Sequence, residues 1–266
     1  MSDLAVRIAG AGLDWIVPAW DASPAVGALC TTRNGGVATG LAASLDVGPA
    51  RLDTLDDVAR AAVLANRSRV QAFLPSAPVY LEQVHGRDVA RIDAANLAAA
   101  RAAPPVGDAA VTRLAGVPLA VRVADCLPVL FASRDASVVG AAHAGWRGLA
   151  AGVLDATIAA LGVAPADVVA WLGPAIGPRA FEVGDDVRDA FLQAADRSAE
   201  HFRPLRAGKW LADLPSLARQ RLDALGVRSV AALDACTFSE PARFHSWRRD
   251  RSPGRLAAYV WRAADQ

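Results

Sequence analysis

The chain is short of the features that would announce most function classes. Its 266 residues include three cysteines, Cys30, Cys126 and Cys236, an odd number at wide spacing that does not suit a disulfide framework. A reducing, cytoplasmic compartment is therefore expected. No stretch reaches the roughly 18 uninterrupted apolar residues that a spanning helix needs, so no membrane partner is expected. The formal net charge is only +1, which gives no electrostatic reason to expect nucleic acid or an anionic membrane. The opening Met1-Ser2-Asp3 lacks a basic start followed by an apolar run, so no signal peptide is read there. There is no fixed-period repeat and no extended low-complexity tract, although alanine is abundant. Histidine is scarce, at four residues.

What remains is apolar: 53% hydrophobic against 21% charged, enough for a substantial core. The length fits one large domain or two small ones; no linker divides it, and a single domain over 1–266 is expected. Periodicity predicts helices over 55–74, 149–161, 185–194 and 214–225. Strands are predicted over 79–84, 89–92, 117–124, 128–132, 138–142, 168–172, 230–233 and 256–261. The Ala-rich 98–105, with its double proline, reads as a loop. Strands and helices mix without strict alternation, which favours α+β over a doubly wound parallel sheet.

Half of the histidines and one cysteine fall in three short stretches: Gln83-Val84-His85-Gly86, Ala124-Asp125-Cys126-Leu127-Pro128 and His143-Ala144-Gly145-Trp146-Arg147-Gly148. His85, Cys126 and His143 are 41 and 17 residues apart, too far for a local zinc-finger spacing. Each lies at or just beyond a predicted strand end, where side chains from one sheet can converge. Two imidazoles and a thiolate would give a metal three protein ligands and leave a fourth position open, the arrangement of a catalytic zinc. Other readings stand beside this one. Cys126 between strands also reads as a small core residue, His85 before Gly86 as part of a turn, and Cys126 with His143 as a nucleophile–base pair.

The glycines after His143 would let a ligand approach the backbone closely, and with Arg147 they precede the predicted 149–161 helix, whose N-terminus would favour an anion. Arg147 can fork onto phosphate or carboxylate. Arg33, in Thr31-Thr32-Arg33-Asn34-Gly35-Gly36, and Arg248-Arg249, beside Phe244 and Trp247, are further candidates for binding an anionic or aromatic substrate. For each, a solvated surface arginine is the simpler alternative. Asp125, next to Cys126, is a candidate proton carrier or hydrogen-bond partner to a ligand histidine. His201 and His245 read as surface or packing residues.

Taken in order, these stretches closely resemble the multifunctional purine nucleoside phosphorylase family, also called the laccase-domain or polyphenol oxidase family, with its bacterial YfiH-type proteins. The similarity also takes in Asn66-Arg67, Asp108-Ala109, Gly173-Pro174-Ala175-Ile176-Gly177, Cys236-Thr237 and Gly254-Arg255. The resemblance implies a sandwich of β-sheets flanked by helices. It implies zinc on His85, Cys126 and His143, in preference to copper. It also implies phosphorolysis of adenosine, guanosine or inosine, with S-methyl-5′-thioadenosine phosphorolysis and adenosine deamination as further activities. Substrates would be a purine nucleoside and phosphate; the oligomeric state is left open, a monomer being compatible. Two rival enzymes come with it: a cysteine hydrolase editing peptidoglycan precursors, and a copper polyphenol oxidase, for which one His-Cys-His set is meagre. A scaffold holding a structural zinc is the non-enzymatic alternative, and would need a fourth protein ligand. The chain departs from the family pattern at Asp46 (commonly Asn), Trp247 (commonly Tyr), Cys30 (commonly aromatic) and across 48–57.

Overall fold

A computed structural model describes residues 3–194, 196–251 and 254–264. In chain order its helices are α1 (Asp3–Gly10), α2 (Asp57–Gln71), α3 (Leu97–Ala102), α4 (Trp146–Ala150), α5 (Val153–Leu161), α6 (Asp185–Ala194), α7 (Leu214–Ala224) and α8 (Trp247–Asp250). Its strands are β1 (Val26–Cys30), β2 (Val79–Tyr80), β3 (Val89–Ile92), β4 (Ala109–Thr112), β5 (Leu119–Val123), β6 (Leu127–Ser133) and β7 (Val139–Ala144). They continue with β8 (Val168–Leu172), β9 (Glu182–Gly184), β10 (Phe202–Arg206), β11 (Lys209–Ala212), β12 (Ser229–Ala232) and β13 (Leu256–Arg262).

The strands form a six-stranded sheet, β12-β8-β6-β7-β4-β3, a four-stranded sheet, β1-β13-β5-β2, and a small β10-β11-β9 sheet. Alternation along the central strands explains how the two large sheets stack. On β6, Leu130 and Ala132 join β13's Ala258 and Val260 and β5's Leu119 and Val121 in the layer between the sheets. Leu127, Val129 and Phe131 point the other way, onto Leu154, Ile158 and Leu161 of α5 and Leu214 and Leu217 of α7. The outer face of the four-stranded sheet, including Tyr80 and Tyr259, packs with Ile8 of α1 and Val70 of α2. Strands buried on both faces read as continuous apolar runs rather than as alternation. The α+β sandwich flanked by helices is thus the observed architecture.

Several boundaries differ from the sequence reading. Residues 97–102 form α3 instead of a loop, because alanine's helix preference prevails up to the double proline. The predicted 149–161 helix is broken into α4 and α5 at Gly152, which sits at φ 92°. The strand predicted over 79–84 ends at Tyr80. Beyond it the Gln83 side chain takes over the pairing: its Nε2 donates to the Arg122 carbonyl at 2.9 Å and its Oε1 accepts from the Arg122 N–H at 2.9 Å. A side-chain amide thereby pairs with β5 beyond the end of β2 and frees the backbone of 84–86 to turn. No helix among the described residues is long and apolar enough to cross a membrane.

Candidate metal centre

The turn released by Gln83 is gathered onto one carboxylate. Asp108, fully buried immediately before β4, accepts the Val84 N–H at 3.1 Å and the Gly86 N–H at 2.6 Å through Oδ2, and the His85 N–H at 2.9 Å through Oδ1. That Oδ1 also meets His143 Nδ1 at 2.8 Å. A carboxylate only accepts, so Nδ1 carries the proton and the His143 Nε2 lone pair is left for a ligand. His85 is held at φ 61°, in the left-handed region that residues with a Cβ seldom adopt.

Cys126 precedes β6 and His143 lies within β7, the two strands pairing with Leu127 opposite Ala144 and Pro128 opposite His143. The ligand atoms of His85, Cys126 and His143 all lie within 4.8 Å of one another. Cys126 Sγ is 3.9 Å from His85 Nε2, and the imidazoles meet edge to face at 4.8 Å between centroids. Tetrahedral zinc holds N and S donors about 3.3–3.6 Å apart, so a closing movement on the order of 1 Å would complete the site. His85 is exposed, Cys126 half-buried and His143 buried; the set is open on the His85 side. Among the described residues this is the one such group.

The glycines of the third stretch serve this packing. A Cβ on Gly145 would stand 3.0 Å from Cys126 Sγ and 3.1 Å from His85 Cδ2. One on Gly148 would stand 2.6 Å from the Gly86 carbonyl oxygen. The glycines admit the donor side chains and the 84–86 turn, where the sequence reading had them admit a ligand. The anion-binding end of a long helix does not form either, since α4 spans five residues and its dipole is correspondingly slight.

Electrostatics within the triad ready the thiolate as a ligand, while His143 has to give up its Nε2 proton before it can ligate. Burial would raise the Cys126 thiol, but the His143 charge and hydrogen bonds from both imidazoles outweigh it and bring it down to about 6. Burial would lower His143, but the thiolate and Asp108 lift it to about 9. Asp108 stays below the ordinary carboxylate range: against its burial act the His143 hydrogen bond and the amides of Gly86 and Val84.

The remaining candidates separate. Asp125 does not touch a ligand histidine; Asp108 does. Asp125 sits at φ 90°, with Oδ1 accepting from the Thr237 hydroxyl at 2.6 Å, Oδ2 from the Arg248 N–H at 2.6 Å, and its carbonyl from the Ile176 N–H at 2.9 Å. It ties the Gly-Pro-Ala-Ile-Gly loop, Cys236-Thr237 and α8 to the residue before Cys126. Strained φ at both His85 and Asp125 fits a site held by its surroundings.

Arg33 donates to the carbonyls of Ala43 and Pro241. Arg249 is spent on the carbonyls of Thr237, Phe238 and Phe244 and on Asp250. Arg248 donates to the Glu182 carbonyl at 2.8 Å and lies over Phe181. Arg147 is exposed over Trp146, 4.4 Å from its ring centroid, and its guanidinium has no hydrogen-bond partner among the described residues.

Sequence reasoning did not single out Asp108 or Arg255 as site residues. The signal for Asp108 was one acidic residue opening the wholly buried Ala109–Thr112. Arg255, just before β13, places its charge within electrostatic reach of Cys126 and Asp125.

The family described as multi-copper polyphenol oxidoreductase laccase matches residues 27–263. Purine nucleoside phosphorylase YfiH of Escherichia coli is 46% identical over 248 residues, covering 92% of this chain and 98% of its own. Purine nucleoside phosphorylase PA4543 of Pseudomonas aeruginosa is likewise 46% identical, covering 93% and 98%. The crystal structure of Neisseria meningitidis NMB0706 superposes with a TM-score of 0.85 at 43% identity, covering 94% of this chain and 100% of that one. That of YlmD from Geobacillus stearothermophilus gives 0.79 at 36% identity, covering 91% and 94%. By sequence and by fold the chain belongs to this laccase-like, YfiH-type family.

Proposed function

We propose that the chain is a zinc-dependent purine nucleoside phosphorylase acting on adenosine, guanosine or inosine. S-methyl-5′-thioadenosine phosphorolysis and adenosine deamination are further activities of the same centre. The observation that carries the reading is the convergence of His85, Cys126 and His143 in a chain whose relatives bear the phosphorylase name.

The donor set fits zinc: two imidazoles and a thiolate, with Gly145 leaving the volume that a Cβ would fill. It also suits one copper ion, but a multicopper oxidase needs more donors than three. When bound, zinc supplies a Lewis acid that lowers the pKa of an oxygen ligand toward neutrality. The residues do the rest. Asp108 fixes the His143 tautomer and the 84–86 turn. Arg147, exposed four residues after His143 and with no hydrogen bond from its guanidinium, is the candidate to grip phosphate; Arg33 and Arg249 hold backbone instead. A phosphate oxygen held close to the ribose C1′ would stabilise positive charge developing there.

A specific observation supports one rival. Cys126, brought down to about 6 against a raised His143, is also a thiolate–imidazolium pair of the kind that opens amides or esters. The deciding experiment is a nucleoside panel followed by chromatography with and without phosphate, with metal content measured on the same protein. Phosphate-dependent release of free base with about one zinc per chain, abolished together with zinc in Cys126→Ala, is the expected result. Activity that survives chelation but dies on thiol alkylation, with no base release, would hand the site to the hydrolase.

A further inference from the structure

Trp247 is placed against the ordinary preference of large aromatics for the interior. Its indole is 46% exposed, although Phe244, His245 and Ser246 just before it are fully buried. The helix it opens is fixed from two sides. Ser246 caps it, its hydroxyl accepting from the Arg249 N–H at 3.2 Å. Asp125 Oδ2 accepts from the Arg248 N–H at 2.6 Å. Asp125 is joined directly to Cys126, so the indole stands one residue from an amide bonded to the neighbour of a metal donor.

One side of the indole is backed by a cation. The Arg255 guanidinium lies 5.4 Å from the ring centroid. Arg255 is itself anchored: its N–H donates to Asp46 Oδ1 at 2.8 Å, and its guanidinium to the Gly254 carbonyl at 3.0 Å. Its charge reaches Cys126 and Asp125, which brings the same corner of the fold to the donor triad. A tryptophan fixed at the start of its helix, backed by a guanidinium and left nearly half exposed forgoes much of what packing would contribute. It is built as a flat surface for another flat ring.

We propose that Trp247 is the platform on which the purine ring of the nucleoside stacks, with Arg255 positioning the indole. The inference rests on the phosphorylase reading and names that site's base-recognition surface.

The test is a calorimetric titration of the zinc-loaded full chain with inosine in phosphate-free buffer, where phosphorolysis cannot proceed. Wild type, Trp247→Ala and Trp247→Phe are compared, with zinc content and melting temperature recorded for each. Loss of one base–aromatic stack should weaken inosine binding in Trp247→Ala roughly 5- to 150-fold, with zinc content unchanged, and Trp247→Phe should restore most of it. Inosine should also quench indole fluorescence in wild type, and this quench should be lost in Trp247→Phe. Equal inosine affinity in wild type and Trp247→Ala, or an undiminished quench in Trp247→Phe, would overturn the platform while leaving the phosphorylase reading standing. Absence of inosine binding by zinc-loaded wild type would overturn both.

Discussion

Replacing Asp108 by Asn keeps the shape of the side chain and removes its charge, which makes it the sharpest probe of how the centre is held. Asp108 accepts from four donors, His143 Nδ1 and His85 N on one oxygen, Val84 N and Gly86 N on the other. Asn can present only one oxygen, so its NH2 must face a pair of donors whichever way it is turned. Turned toward the turn, it loses the Val84 and Gly86 bonds. Turned toward His143, it favours the tautomer with the proton on Nε2, which removes that nitrogen as a ligand. Hydrogen bonds to a charged group contribute about 1.5–3 kcal/mol each, and breaking a buried ion pair costs about 3–5 kcal/mol. The expected loss of stability is therefore about 3–5 kcal/mol, or a melting temperature lower by roughly 6–20 °C at this chain size. Zinc affinity, read by competition with a chromophoric chelator, should fall about 10- to 100-fold. Wild-type zinc affinity in a variant that melts within a few degrees of wild type would refute the assignment of Asp108 as organiser of the site. A lower melting temperature with unchanged affinity would restrict its role to the turn.

Three other consequences are open to measurement. Gly145→Ala keeps an allowed backbone, φ −65° and ψ 158°, but its Cβ meets Cys126 Sγ and His85 Cδ2. Zinc affinity should drop by more than stability does, and equal zinc titrations of variant and wild type would refute the packing role. Burial drives His245 down to about 4, its bond to the Leu45 carbonyl notwithstanding, so the folded imidazole is neutral where the unfolded one still binds a proton. The stability it contributes is present above about pH 6.5 and is lost as pH falls toward 4, about 3 kcal/mol in full; identical pH dependence of the urea midpoint in wild type and His245→Gln would contradict this. Gln83→Leu leaves the N–H and C=O of Arg122 without their partner and should cost about 1–3 kcal/mol; an unchanged urea midpoint would show that water replaces the amide.

The fold was legible where burial imposes a period, and the site where chemistry is rare. β6, β7 and β8 lie between the helix layer and the inter-sheet layer, and β13 between the inter-sheet layer and the outer one, so their sequences are almost uninterrupted runs that only a buried strand explains. His85, Cys126 and His143 stood out because so few residues in the chain can ligate a soft metal. The illegible parts are those decided by one long-range partner. Nothing local says that the side chain of Gln83 pairs with β5 at Arg122, or that Asp108 closes on a histidine 35 positions away. The arginines show the limit of residue type as a guide. Arg33, Arg147, Arg248 and Arg249 carry the same group, yet backbone carbonyls claim all but Arg147, because a guanidinium beside irregular loops is the cheapest way to satisfy orphaned C=O groups. The glycines of His143-Ala144-Gly145-Trp146-Arg147-Gly148 teach the complementary lesson. Their spacing looked like a ligand cradle, and they are a cradle, but one shaped for Cys126, His85 and the Gly86 carbonyl. Small residues beside a reactive histidine report that something must come close; only the fold says whether it is a substrate or the protein's own donors.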